Sequence, residues 1–358
     1  MRRTRRRLLV AAGVLVLGAA ATLAAVDRWI DTYVDPMEDD VRNAGYVEKV
    51  VQVNDVGLSF VEGPDNGPPL VLLHAQHMDW YSYNLVLPAL AASFHVYDVD
   101  YPGHGGTTVP DDYPMTANRI GADLGDFIDD VIGEPVFVTG NSSGGLLATW
   151  LAANRPRSVR AVVLEDPPLF TSEAGYPSPT LADRSFTTAA DAVRDGTDDF
   201  LLYWIEASSA FFDKHVAPGS AWFLRQAITS YREAGPDRPV ELGIVANDTV
   251  RQLLRGLDRY DPRFGAAFHD RTWNAGFDHA EALARIEAPT LLLQADTEFL
   301  PDGTLNGAMG PEDGKRAASL LRNGEYRVVN ATHVIHLAEP ELFVSLLEEF
   351  LLRESMPG

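Results

Sequence analysis

The sequence predicts an α/β protein: a mainly parallel sheet covered by helices on both faces, with a helical lid inserted before the last strands. Three observations carry that expectation. Short apolar runs of strand length alternate with helix-forming stretches between about residues 70 and 164, as parallel strands joined by crossover helices require. The run 136–139 passes through Gly140-Asn141-Ser142-Ser143-Gly144 straight into a helix-forming segment containing Leu146, Leu147 and Trp150. From about 169 to 287 the apolar strands stop while helical patterns continue, and the rhythm resumes at Thr290-Leu291-Leu292-Leu293.

Between residues 46 and 60, Val, Leu and Phe alternate with polar residues, which predicts two antiparallel strands meeting near Asn54-Asp55. Gly63-Pro64-Asp65-Asn66-Gly67-Pro68-Pro69 is a turn cluster, and 70–73 a fully buried strand. A helix over 83–92 and a strand over 94–99 follow. Then come a helix over 115–132, a strand over 136–139, a helix over 146–154 and a strand over 159–164. After the inserted block the sequence predicts strands at 289–293 and 326–329 and an amphipathic helix over 339–352. The core is thus expected at 46–168 and 288–358, with the lid at 169–287. In the lid, Phe200, Tyr203 or Trp204, Ala207 and Phe211 recur at helical spacing, which packing explains, with one or two aromatics also walling a substrate pocket.

Five of the first seven residues are arginine, and an uncharged run rich in Ala, Leu and Val extends from Leu8 to Val26. A basic head before an apolar stretch with small residues is the pattern of an export signal, and Thr4-Arg5-Arg6-Arg7-Leu8-Leu9 is similar to the twin-arginine export motif. The run is also long enough to span a bilayer, so residues 1–26 read as a cleaved signal or as an N-terminal anchor, with 27–45 as a linker or accessory helix. In either case the catalytic body is expected outside the cytoplasmic membrane.

The 358 residues, 46% of them hydrophobic, suffice for one large domain carrying an insertion. The absence of cysteine excludes disulfides, thiol nucleophiles and cysteine-bound zinc. Net charge is −22, and −27 once the five leading arginines are set aside, a balance that repels nucleic acid and anionic headgroups. No His-x-x-x-His or clustered His/Asp set points to a metal, so no metal or cofactor is expected. The expected partner is a small-molecule substrate, with membrane contact only through the N-terminal segment.

A serine at the apex of a strand–turn–helix is held in strained backbone that pushes its Oγ out of the sheet. Glycines two residues on either side suit that turn, because a Cβ there would collide with the neighbouring strand and helix. The order of the pieces between about 46 and 352 resembles the α/β-hydrolase fold. Leu72-Leu73-His74-Ala75-Gln76 is similar to the family's oxyanion loop, and Asp100-x-Pro-Gly-His-Gly105 to the loop that follows it. Gly140-x-Ser142-x-Gly144 is similar to its nucleophile elbow, and Ala331-Thr332-His333 with Glu339-Pro340 to its terminal histidine segment. Ala75 departs from the family's usual glycine.

The resemblance implies a serine hydrolase with a helical lid. Ser142 would be the nucleophile and His333 its base, with His336 a packing residue beside it. The backbone N–H groups of Gln76 and Ser143 would receive the oxyanion. For the acid that orients the histidine, Ala295-Asp296-Thr297-Glu298 matches the family's spacing after the strand at 291–294, favouring Glu298; Asp296 and Asp166 are the alternatives. His74 and His104 are expected to brace loops, and His77 to touch substrate or to stand at the rim. The expected activity is that of a carboxylesterase on a moderately sized apolar ester. A carbon–carbon bond hydrolase, an aminopeptidase or amidase, a perhydrolase and a non-catalytic ligand-binding protein on the same scaffold are the alternatives.

Overall fold

The computed structural model describes residues 28–215 and 217–354. The apolar run 8–26 lies outside them, and no helix among the described residues is long and apolar enough to cross a membrane. The described chain falls into two compact units, one of 28–35 with 205–247 and one of 36–204 with 248–354.

The larger unit is built on one eight-stranded sheet. Its first strands in chain order are β1 (Val47–Val53), β2 (Val56–Glu62), β3 (Pro69–Leu73), β4 (His95–Asp100), β5 (Val136–Asn141), β6 (Val159–Glu165) and β7 (Thr290–Gln294). A separate two-stranded ladder, β8 (Glu298–Phe299) with β9 (Leu305–Asn306), precedes the last sheet strand, β10 (Gly324–Val328). The sheet order is β1-β2-β4-β3-β5-β6-β7-β10. β1 and β2 form the expected hairpin, Val53 facing Val56 across Asn54-Asp55, and β2 pairs antiparallel with β4. Every other pairing is parallel, which places the carboxyl ends of β3, β5, β6, β7 and β10 along one edge.

The central strands carry no alternation because both faces are covered. Leu70, Leu72, Phe137, Ala161, Val163, Leu291 and Leu293 enter one buried cluster with Phe343, Leu347, Phe350 and Leu351 of the closing helix Pro340–Arg353. Each such leucine or phenylalanine contributes roughly 1.5–3 kcal/mol by leaving water. The helix Ser143–Asn154 is buried along its length to Ala153, and so has no polar face either.

Several elements differ from expectation for local reasons. The helix expected over 83–92 is a 3-10 turn, Trp80–Tyr83, and a single turn, Leu87–Leu90. Pro88 has no N–H to donate to the carbonyl four residues earlier, so a continuous helix cannot run through it. The pattern 200–211 is split into Phe200–Ala207 and Ser209–His215. The helix Pro311–Leu320 and the β8–β9 ladder carry patterns too short or too polar to have been expected. Among the described residues of 169–287 there is no named strand, and the helices run from Leu181–Asp195 to His279–Arg285.

In the smaller unit the helix Ser209–His215 packs against Ser220–Ala234. Residues 28–32 are helical and tied to the same unit. Ser230 Oγ donates to Asp31 Oδ1 at 2.9 Å, Arg238 Nη2 to the Asp31 carbonyl at 2.7 Å, and Asp35 N–H to Glu241 Oε2 at 3.2 Å.

Candidate active site

β5 ends in the sharp turn that the glycines suggested. Ser142 has φ 56° and ψ −120°, a backbone state an L-residue holds only when its surroundings over-determine it. Its N–H donates to the Glu165 carbonyl at 3.0 Å, which pins the turn to the end of β6. A Cβ on Gly144 would lie 2.1 Å from the Leu73 carbonyl oxygen, and one on Gly140 would lie 2.3 Å from that of Gly144. Both positions therefore require glycine for the helix to start this close to the sheet.

Ser142 and His333 line the same cavity of about 670 Å³, within the larger unit. His333 stands on the loop after β10. Its Nδ1 donates to Asp166 Oδ2 at 2.7 Å, which leaves Nε2 as the ring nitrogen available to the cavity. Asp166 is fully buried at the end of β6, with its N–H on the Leu293 carbonyl at 2.9 Å. Its other oxygen, Oδ1, accepts from Ala295 N–H at 3.2 Å. Desolvation pulls the His333 pKa down, but the Asp166 hydrogen bond and the charges of Asp166 and Glu165 outweigh it, and the net shift is upward.

The geometry corrects the favoured acid. Glu298 lies on the exposed β8 strand with Oε1 accepting from Asn306 Nδ2 at 2.9 Å, and Asp296 is exposed at the cavity wall. The carboxylate against His333 is Asp166. β8 turns the Glu298 side chain into a ladder with β9, whereas Asp166 leaves β6 at φ 44° and turns its carboxylate inward beside the β7 end. Asp tolerates that left-handed conformation better than most residues.

Around this pair the loops are bound together. Asn141 Nδ2 donates to the Glu165 carbonyl at 3.1 Å and to the His333 carbonyl at 3.0 Å, joining three strand ends. Glu165 and His336, both fully buried, meet at 2.8 Å through Oε2 and Nδ1, and Glu165 Oε1 also accepts from His336 N–H at 2.9 Å. The His336 ring stacks on Tyr83 with centroids 3.9 Å apart. His74 stacks on Tyr101 at 4.4 Å, and His104 packs edge-on to it at 4.4 Å. Tyr101 Oη in turn lies 2.9 Å from Ser143 Oγ. The imidazoles of His74 and His104 are thus buried behind the site rather than in it.

Ser143 is the first residue of its helix, so its N–H has no acceptor four residues back within that helix. Gln76 lines the cavity, its Nε2 donating to Tyr260 Oη at 2.7 Å. Ala75, where glycine was expected, is buried against Met78, Val334 and Leu337. His77 lines the cavity too, and burial lowers its pKa to about 3, so it is neutral there.

The far wall of the cavity comes from Ser185 and Phe186 on one helix, Leu253 on another and Phe268 on a third, with Phe186 stacked on Phe268 at 4.9 Å. None of the lid aromatics singled out from the sequence lines it. Phe200 is buried, whereas Phe211, Trp222 and Phe223 are exposed. Phe186 was overlooked because it sits alone in its helix, and Phe268 because the short pair Phe264–Phe268 reads as ordinary packing. Among the described residues lining the cavity there is no Lys or Arg, and the carboxylates are Asp296 and Glu298. No group of three or more metal-ligating side chains occurs among the described residues.

The sequence profile of the alpha/beta hydrolase family matches residues 70–346. Pyrrolizixenacetamide deacetylase of Xenorhabdus hominickii is 24% identical over 86% of this chain and 99% of its own length. The 3-oxoadipate enol-lactonase 1 of Acinetobacter baylyi is 24% identical over 81% and 91% respectively. Among solved structures, a bacterial membrane phospholipase A superposes with a TM-score of 0.62 at 20% identity, covering 98% of this chain and 100% of its own. Naproxen esterase of Bacillus subtilis superposes at 0.58 and 18% identity over 89% of this chain and 99% of its own. With its eight-stranded sheet, its strained serine turn and the family profile running through both, the chain belongs to the alpha/beta hydrolase family.

Proposed function

We propose that the protein is a serine hydrolase working through an acyl-enzyme, a carboxylesterase on an uncharged ester of moderate size. The observation that carries this is the His333–Asp166 pair at 2.7 Å opening onto the cavity that Ser142 also lines. In this reading His333 Nε2 takes the proton from Ser142 Oγ as the oxygen attacks the ester carbonyl. The N–H groups of Ser143 and Gln76 receive the oxyanion, and the imidazolium, steadied by Asp166, protonates the departing alkoxide. Water activated by the same imidazole then releases the acid.

The names of the two relatives, a deacetylase and an enol-lactonase, describe hydrolyses of acyl bonds, in keeping with this chemistry. A cavity of about 670 Å³ suits a small-molecule ester. With no cation among its described lining residues, a free carboxylate on the substrate would find no counter-charge there. The basic head and the uncharged run from Leu8 to Val26 support an extracytoplasmic enzyme, secreted or held at the cytoplasmic membrane.

A fluorophosphonate probe tests the reading. Covalent labelling of the wild type, lost in Ser142→Ala and restored by no other hydroxyl, is the expected result. An unlabelled wild type with an intact fold would leave only a ligand-binding role.

A further inference from the structure

Of the exposed Trp and Phe side chains among the described residues, Trp29, Phe211, Trp222 and Phe223 belong to the smaller unit and Phe299 to the larger. Phe211 is 60% exposed, Trp222 67% and Phe223 48%, and Trp29 of the same unit is 46% exposed. Large apolar groups scattered singly over a surface need no explanation, but these are not scattered. Phe211 stands one turn before the end of the helix Ser209–His215, and Trp222 and Phe223 in the first turn of Ser220–Ala234. The two helices pack together, and Gly219 N–H donates to Asp213 Oδ1 at 2.9 Å across the connection. Trp222 and Phe223 therefore sit at the connection end of one helical hairpin, with Phe211 one turn back along its first helix. In Ser220–Ala234, Trp222 and Phe223 lie off the stripe of Ala221, Leu224, Ala227, Ile228 and Tyr231 that the helix buries. Packing along that stripe does not account for Trp222 and Phe223. Lys214, also exposed, is at the same end.

Two further facts point to what covers this tip. The described part of the smaller unit begins at Arg28, two residues after the uncharged run from Leu8 to Val26 ends in the sequence. At no more than about 3.6 Å of chain per residue, Trp29 lies within roughly 11 Å of Val26. Charge separates the units as well. Residues 28–35 and 205–247 contain five basic and seven acidic side chains, net −2, whereas 36–204 with 248–358 carries −24. A body of that charge is repelled by an anionic bilayer; a nearly neutral unit bearing Trp, Phe and Lys is not.

We propose that the hairpin tip carrying Phe211, Trp222 and Phe223 is a bilayer-contact surface, seated in the headgroup region on the unit into which the N-terminal apolar run leads. This rests on that run being retained as an anchor. The binding is apolar in kind, the rings entering the interface edge as an amphipathic segment does. It is accordingly insensitive to salt, unlike a polybasic contact.

The absence of cysteine makes the test direct, because one introduced cysteine gives one labelling site. Full-length W222C and F223C, with V50C on β1 of the larger unit as reference, are labelled with an environment-sensitive fluorophore and reconstituted into vesicles of phosphatidylcholine and phosphatidylglycerol. Thermal melts confirm that each variant is folded, and intact mass confirms that residues 1–27 are present. The expected result is a blue-shifted emission at 222 and 223, quenched at least about threefold more by brominated lipid than at 50, and unchanged by salt. If the chain floats with the vesicles but both positions stay water-like, the surface assignment falls and the anchor stands. If it does not float at all, both fall. A blue shift that appears without vesicles and grows with protein concentration identifies a second copy of the chain as the occupant, and overturns the proposal.

Discussion

Two neighbouring strand ends, those of β6 and β7, each present acidic residues toward the same edge of the sheet, and they differ in every respect that matters for the site. After β6, Asp166 is fully buried, held in a left-handed conformation and bonded to both His333 and the Ala295 N–H. After β7, Asp296 and Glu298 are exposed, and Glu298 spends its carboxylate on Asn306. A carboxylate that must orient an imidazole and balance an imidazolium is worth more where water does not screen it. Spacing along the chain selects the second loop; burial and direction select the first. Neighbouring parallel strands end side by side, so an acid can move from one strand end to the next and still reach the same histidine.

The largest expected effect breaks this comparison at its centre. Asp166→Asn is expected to lower kcat by about 10⁴, because the amide donates where Nδ1–H must donate and forces the wrong imidazole tautomer. Glu298→Gln and Asp296→Asn are expected to stay within about threefold of wild type on a neutral aryl ester. A large loss in Glu298→Gln with a small one in Asp166→Asn would return the role to the β7 loop. Ser142→Ala and His333→Ala should each cost about 10³ or more in kcat, and the double variant little beyond either, since residues acting as one unit are not additive.

A smaller effect sharpens the same comparison through pH. In the proposed mechanism the base must be neutral to act, and the raised His333 pKa puts the expected acid limb of kcat/KM above the ordinary imidazole value of about 6.5. Activity is therefore present above that limb and lost as pH falls through it. Glu165, buried beside Asp166, is one of the charges that raise it. Glu165→Gln is expected to move the limb to lower pH while leaving the fluorophosphonate labelling site unchanged. A limb that does not move would mean that Glu165 acts only through its bonds to His336.

Much of the fold was legible because it is written in contiguous patterns. The apolar runs became β3 to β7 within a residue or two, and Gly140-x-Ser142-x-Gly144 marked the turn because close approach to Leu73 and His74 leaves no room for a Cβ. The closing helix over 339–352 was read from its amphipathic stripe. The partner of His333 was not legible in the same way. Asp166 and His333 are 167 residues apart, and what joins them is the direction in which Asp166 leaves β6, a matter of one φ angle. The pocket wall was missed for a related reason. Phe186 and Phe268 meet only when the helices Leu181–Asp195 and Pro262–His269 pack, and neither helix announces that by itself. Periodicity read the aromatics of 200–211 as one packed helix, which the break at Ser208 and the exposure of Phe211 overturn.

The acids that the β7 loop exposes still bear on the site, by a smaller amount. They are the charged side chains on a cavity wall with no Lys or Arg among its described residues. A substrate carboxylate held roughly 8 Å from such a charge in water-like surroundings is disfavoured by about 0.5 kcal/mol, a little over twofold per acid. Esters of equal size that differ only by a terminal carboxylate are therefore expected to separate by more than that, because the carboxylate also loses hydration without gaining a cation. Glu298→Gln should recover about twofold in kcat/KM for the acidic ester and nothing for the neutral one, with the gain fading at high salt. Competition between the two esters in one reaction reads so small a ratio reliably. Equal gains on both substrates would show that Glu298 acts by shape rather than charge, and a preference for the acidic ester would require a cation that this wall does not contain.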